Sequence, residues 1–281
     1  FYGERAFVID YPPASSLWQP PEPGSEGYSI AFSKNINGSP IYLNSIPQLN
    51  GDGYDIPSSP ITRGEKYNAA LSAAIDYLKA AGYTWDEASG RFTLAPVGAK
   101  LEYEVLVPGY GAGNHPSYKI CTSVKEALKK IGITLVIEDE ANLDRFWEKL
   151  NSGTHEIWCA GWEWDSKIGP DLYEMYHSQS ISGVSGSGSN YYYIQDALLD
   201  DIIVRMVKKG SDMVRRDAYK RCIEIVAEWV VEIPVYQKYN CCLISTQRVN
   251  IGTLTPDLTY CWDWTNDIEL LEKYPVYANK K

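Results

Sequence analysis

Residues 161–165 read Gly-Trp-Glu-Trp-Asp and end an apolar run, HEIWCAGWEW, that suits a strand. On an extended chain, positions two apart face the same side, so Glu163 and Asp165 form a carboxylate pair flanked by Trp162 and Trp164. Such a pair can act as general acid and base on a glycosidic bond, although glycosidase pairs usually come from different strands. The same acids can instead receive an ammonium group. A charge-assisted bond of this kind is worth roughly 1.5–3 kcal/mol, and removing one partner leaves a desolvated charge behind. The indoles would then be flat apolar or cation–π walls. In a third arrangement the rings are core and the acids face water, which must hold for at least one of the two tryptophans. A second aromatic stretch, SNYYY at 189–193, reads equally well as a lid carrying Tyr191 or as the approach to the next helix, with Asn190 capping a turn.

Other constellations are weaker. VPGYGAGNHP at 107–116 follows a strand and precedes a helix, with Glu138 at the end of the next strand, as in a dinucleotide-binding unit. Its third glycine position is Asn114, however, and His115-Pro116 delay the helix whose N-terminus would hold the pyrophosphate. A plain loop is the better reading. His115, His155 and His177 make no i, i+4 pair and are expected to be locally satisfied or exposed. No G-x-S-x-G elbow surrounds Ser185 or Ser187. Six cysteines make no C-x-x-C pair, so no metal and no cofactor is expected. Buried thiols are favoured over a disulfide framework, because a chain of this size does not need one.

The elements that would position residues 161–165 alternate. GEKYNAALSAAIDYLKAAGY places Leu71, Ile75 and Leu78 at helical spacing and ends at Gly82. Strand Leu101–Val107 is followed by a helix with Ile120, Val124, Ala127, Leu128 and Ile131 on one face and Gly132 at its end. Then come strand ITLVIE, helix NLDRFWEKLNSG and strand HEIWCAGWEW. This order implies a largely parallel sheet with right-handed crossovers, and ligands bind outside the carboxyl ends of such strands. Trp162–Asp165 stand at one of those ends. Downstream, Leu198, Leu199, Ile202, Ile203, Met206 and Val207 form one amphipathic helix. Val214, Ala218, Cys222, Ile225 and Trp229 form another, capped by Ser211 or Asp212, and EIPVYQKYNCCLIS reads as a strand.

Residues 1–64 are rich in Pro, Gly, Ser and Asn but anchored by Trp18, Tyr28, Ile30, Phe32, Ile41, Tyr42 and Leu43, which suits an irregular segment wrapped over a lobe spanning 65–250. Residues 251–281 read as an irregular aromatic tail. The 281 residues carry 44% hydrophobic and 22% charged side chains, as globular proteins do. A net charge of −10 argues against nucleic acid, whose binders need a basic stripe. No stretch is apolar for long enough to span a bilayer. The opening FYGERAFVID lacks the regions of a signal peptide and has no initiator Met, so a processed chain or an excised piece is expected.

Taken in order, AIDYLKAAGYTWDEASGRF, SVKEALKKIGITLVIED, FWEKLNSGTHEIWCAGWEWDSKIGPDLYEMYHS, SNYYYIQDALLDDII with Asp200, and RRDAYKRCIEIVAEWVVEIPVYQKY resemble the extracytoplasmic solute-binding proteins of peptide/nickel-type ABC importers, specifically the oligopeptide- and dipeptide-binding group. The resemblance runs from Tyr67 to Tyr239, with a fainter match in FYGERAFVIDYPPASSLW. It implies an α/β lobe of the type II periplasmic-binding-protein kind, a mixed, mostly parallel sheet flanked by helices. It also implies a binding protein rather than an enzyme, monomeric and outside the cytoplasm, either periplasmic or as a cell-surface lipoprotein. Its partners would be a peptide or other small solute and a membrane permease. In the family's Gly-Trp-x-x-Asp stretch the aspartate holds the ligand's α-amino group, which carries over to Asp165. The backbone of Gly161 and Glu163 would pair with the peptide main chain. The family's first lobe and its Arg-x-Ala-containing helical stretch have no counterpart here, so an isolated second lobe is expected, with 251–281 returning toward the missing first lobe. Trp164 departs from the smaller residue expected there. Oligosaccharides are the alternative ligand, and a carboxylate-pair glycosidase or a nucleotide-dependent enzyme the alternative class.

Overall fold

The computed structural model describes residues 6–9, 11–12, 34–39, 41, 48–50, 53–55, 62–162, 171–182, 188–207, 211–238, 243–255 and 268–274. The chain divides into two compact units, one of Phe1 with Asp10–Pro234 and one of Tyr2–Ile9 with Val235–Lys281. In chain order the strands and helices are β1 (Ala6–Val8), β2 (Gln48–Asn50), β3 (Gly53–Asp55), α1 (Arg63–Ala80), β4 (Thr84–Asp86), β5 (Arg91–Leu94), β6 (Glu102–Val107), α2 (Pro116–Lys130), β7 (Thr134–Asp139), α3 (Leu143–Ser152), β8 (Ile157–Trp158), α4 (Leu172–Tyr176), α5 (Ala197–Val207), α6 (Asp212–Trp229) and β9 (Tyr236–Lys238).

The first unit is built on a three-stranded parallel sheet in the order β7-β6-β8. Strand periodicity divides its side chains between two layers. Val105, Val107 and Leu135 join Cys121 of α2 on one face. Leu106 joins Phe146 and Leu150 of α3 on the other, all three at 0% exposure, with Trp147 and Trp158 packed against them. Burying each such side chain contributes roughly 1.5–3 kcal/mol. Helix α3 begins because the Asn142 side chain accepts from the Asp144 and Arg145 N–H groups, and it ends at Gly153 with φ 63°. Helix α1 starts in a Thr62/Glu65 capping box. It leaves through Gly82, φ +94°, and packs Leu71, Ile75 and Leu78 around Phe92, Ile131 and Ile133 beside the β4–β5 hairpin.

Helices α4, α5 and α6 make a second core around Tyr176, Leu199, Ile203, Tyr219, Cys222 and Ile223. Ser211 caps α6, one of the two caps expected. Asp200 of α5 accepts from the Ser178 N–H at 2.8 Å and from its hydroxyl, tying α5 to the turn after α4. Two expected stripes hold in part. Leu128 and Ile131 pack inward as expected, but Val124 is 43% exposed and α2 buries Ser117 and Cys121; on α6 Cys222 and Ile225 are buried as expected, Val214 and Trp229 are exposed, and Tyr219, Ile223 and Val226 join the buried face. Strand β8 is shorter than HEIWCAGWEW suggested: its ladder to β6 covers Ile157 and Trp158, then closes with a Cys159 N–H bond to the Leu106 carbonyl at 3.0 Å. In the second unit, β1 pairs antiparallel with β9, and Asn250 bonds Glu272 through backbone and side chain. Cys241, Cys242 and Cys261 lie outside the described residues. Among the described residues, no helix is long and apolar enough to cross a membrane.

Candidate functional site

Where β8 gives out, Gly161 and Trp162 follow at the carboxyl end of the parallel sheet, as the strand order required. Gly161 is exposed, and a Cβ built on it would meet nothing within 4 Å. Trp162 is half-buried against the helical core. Its ring lies parallel to that of Tyr191, with centroids 5.9 Å apart and planes at 12°. Trp147 is tilted against Tyr191 at 5.8 Å, and Trp158 meets Trp162 edge-on at 6.2 Å. Trp162 and Tyr191 are therefore brought together. Glu163, Trp164 and Asp165 lie outside the described residues.

The indole of Trp162 is held in place by polar contacts behind it. Its Nε1–H donates to the Tyr192 hydroxyl at 3.2 Å, and Tyr192 in turn donates to Glu232. Tyr176 donates to the same carboxylate at 2.8 Å and stacks on Tyr192 at 5.5 Å. Burial pushes the Glu232 carboxyl above its usual range, opposed by the two tyrosine hydrogen bonds. Burial also raises both tyrosines well above theirs. Sequence reading missed this support. Glu232 sits between Val231 and Ile233, a spacing that reads as the solvent face of a strand. Trp147 and Trp158 carried a signal only in their adjacency to core positions.

Asn190 settles how the SNYYY stretch is anchored. It is fully buried, and its amide nitrogen donates to the carbonyls of Tyr176, His177 and Ile194 while its oxygen accepts from the Ile194 N–H. The stretch is thus fastened to the end of α4, with Tyr191 and Tyr192 projecting from a fixed backbone.

The glycine loop after β6 folds onto its own carboxylate. The Gly113 N–H donates to Asp139 Oδ2 at 2.9 Å, and the Tyr110 N–H to the Glu140 carbonyl at 3.2 Å. A phosphate there would meet Asp139, so a plain loop is the reading the geometry favours. Nearby, Lys149 bridges Glu138 and Glu140; the hydrogen bond to Lys149 is the main cause that lowers the Glu140 carboxyl, and the bond to Glu138 the main one that raises the Lys149 ammonium. His115 and His177 each accept a backbone N–H two residues on, and His155 lies 3.0 Å from the Lys149 carbonyl. Among the described residues no cluster of three potential metal ligands forms. A surface groove of 440 Å³ lies between α5 and α6, lined by Asp196, Leu198, Arg221, Ile225, Glu228 and Trp229, none of them a residue expected in the site.

The sheet, its flanking helices and an aromatic ledge at the strand ends define an α/β fold of the type II periplasmic-binding-protein kind. The chain belongs to the bacterial extracellular solute-binding proteins, family 5 (Middle), whose model matches residues 21–183. The fold is similar to that of NikZ from Campylobacter jejuni in complex with Ni(L-His), at 16% identity and a TM-score of 0.52, covering 84% of this chain and 37% of that one. DppA from Helicobacter pylori in complex with peptide STSA is 19% identical with a TM-score of 0.48, covering 85% of this chain and 36% of that one. AppA from Bacillus subtilis in complex with a nonapeptide is 20% identical with a TM-score of 0.46, covering 75% and 38%. The chain thus spans between 36% and 38% of the length of these three structures. No curated protein matches the sequence.

Proposed function

We propose that this chain is the ligand-binding lobe of an ABC-importer solute-binding protein and that it captures extracellular peptides through Asp165. In this reading the carboxylate receives the peptide's α-amino group, Trp162 and Trp164 wall the pocket, and Tyr191 backs Trp162. The backbone of Gly161 and Glu163 pairs with the peptide main chain, which recognises peptides without reading their side chains. A first lobe closes over the ligand from the other side, and a membrane permease receives it. The observation that carries the proposal is the exposed Gly161 beside an indole fixed by Tyr192, at the carboxyl end of the sheet. Open backbone next to a pre-oriented ring lowers the ordering cost of binding an extended ligand.

The test is Asp165→Asn in the complete protein, titrated calorimetrically with a tetrapeptide and its N-acetylated form. Loss of a charge-assisted bond of roughly 1.5–3 kcal/mol weakens the free-amine peptide about 10- to 150-fold. The acetylated peptide should bind the parent and the variant alike. Equal losses for the two ligands would refute the ammonium role. Binding of an oligosaccharide in place of either peptide would replace the ligand class.

A further inference from the structure

We propose that Cys121 and Cys159 form a disulfide when the protein meets an oxidising compartment, fastening α2 to the chain just ahead of Gly161 and Trp162. Two independent placements bring the thiols together. Cys159 follows β8, where the alternation that sends Trp158 to the α3 layer sends Cys159 to the other face, against the cluster of Val105, Val107, Leu135 and Cys121. On α2, Ser117 and Cys121 are one turn apart and are the helix's two buried residues, so the helix directs that pair at the same layer. Cys159 thus packs against the buried cluster that contains Cys121, and the two thiols perturb one another's titration, with Ser117 adding to the pull on Cys159. Both cysteines are reduced in the structure, with Cys121 buried and Cys159 half-buried.

The chemistry divides between the two. The neighbouring Cys121 thiol is the main cause that draws the Cys159 thiol below its usual range, whereas Cys121 is pushed up. Cys159, the more accessible of the two, is therefore the attacking thiolate. It displaces one thiolate from a small-molecule or protein disulfide, RSSR, to give a mixed disulfide and RS⁻, which takes up a proton. Cys121 then loses its proton and attacks Cys159 Sγ, forming the Cys121–Cys159 bond and expelling the second RS⁻. In total, two thiols and RSSR become one protein disulfide and two RSH, the two electrons and two protons passing to the reagent. The family's extracellular setting is where such bonds form and persist.

The test uses the whole chain incubated with oxidised glutathione, then alkylated in denaturant and digested without reductant. The expected product is a cross-linked pair of peptides containing Cys121 and Cys159, with a thermal midpoint about 5–15 °C above that of the reduced protein. Cys121→Ser should stop at a Cys159–glutathione adduct, and Cys159→Ser should leave Cys121 unmodified. If either variant fails to fold, peptide mapping of the parent decides alone. Alkylation of both residues after oxidation, or a stable glutathione adduct on Cys159 of the parent, would overturn the proposal.

Discussion

Replacing Tyr192 with phenylalanine tests the support behind Trp162 by removing a single oxygen. That hydroxyl accepts the Trp162 Nε1–H at 3.2 Å and donates to Glu232. Below the ordinary glutamate value of 4.5, Glu232 is protonated in folded and unfolded chains alike, and the variant loses a neutral hydrogen bond worth about 0.5–1.5 kcal/mol. Above the raised Glu232 value the same bond runs to a charged carboxylate and is worth about 1.5–3 kcal/mol. The sign follows from proton linkage. Burial has already raised the folded Glu232 value, so its contribution is fully present below 4.5 and is lost as pH climbs through the raised value. Without one of its two donors that value rises further, and the loss deepens and extends to higher pH. Urea denaturation over a pH series rising from about 4 should therefore show the loss in Tyr192→Phe deepen by roughly 1 kcal/mol as pH climbs through the raised Glu232 value. Tyr176→Phe removes the other donor, at 2.8 Å, and should share the pH trend. Only Tyr192→Phe also frees the indole, so only it should shift the tryptophan emission. A loss independent of pH, or identical emission changes in the two variants, would refute the chain from Trp162 through Tyr192 to Glu232.

Asn190→Ala removes four hydrogen bonds from a fully buried position, taking a partner from the Ile194 N–H and from the carbonyls of Tyr176, His177 and Ile194, of which His177 keeps its bond from the Ser180 N–H; a loss of roughly 3 kcal/mol in chemical denaturation is expected. Gly109→Ala would set its Cβ 1.9 Å from Asp139 Oδ1 and should cost about 1–3 kcal/mol. Adding Asp139→Ala should recover part of that loss in a double-mutant cycle, whereas strictly additive losses would place the strain elsewhere.

The alternation of strands and helices from Leu101 to Trp162 was legible because each element carries its own punctuation. Gly82, Gly132 and Gly153 all adopt the positive φ that closes a helix. The parallel sheet and the position of Trp162 at its end followed from that order. The buried faces were read less well. Val124 and Trp229 have the right spacing but are exposed, because helical periodicity permits several neighbouring stripes and tertiary packing selects one. On α2 the expected Leu128 and Ile131 do pack inward, and Ser117 and Cys121 join them in place of Val124. The support behind Trp162 had no local trace at all. Tyr176, Tyr192 and Glu232 are far apart in sequence, and their convergence is a property of the helical core alone.

Asn190 also bears on how the molecule ages. Spontaneous deamidation needs the following peptide nitrogen to swing onto the side-chain carbonyl, a movement that three bonds on the amide nitrogen forbid. An aspartate at that position would face three carbonyl oxygens with an acceptor instead of a donor. Asparagine chemistry at residue 190 therefore keeps a record of how often this part of the chain comes apart, and stored protein should show it intact for as long as the α4 end holds.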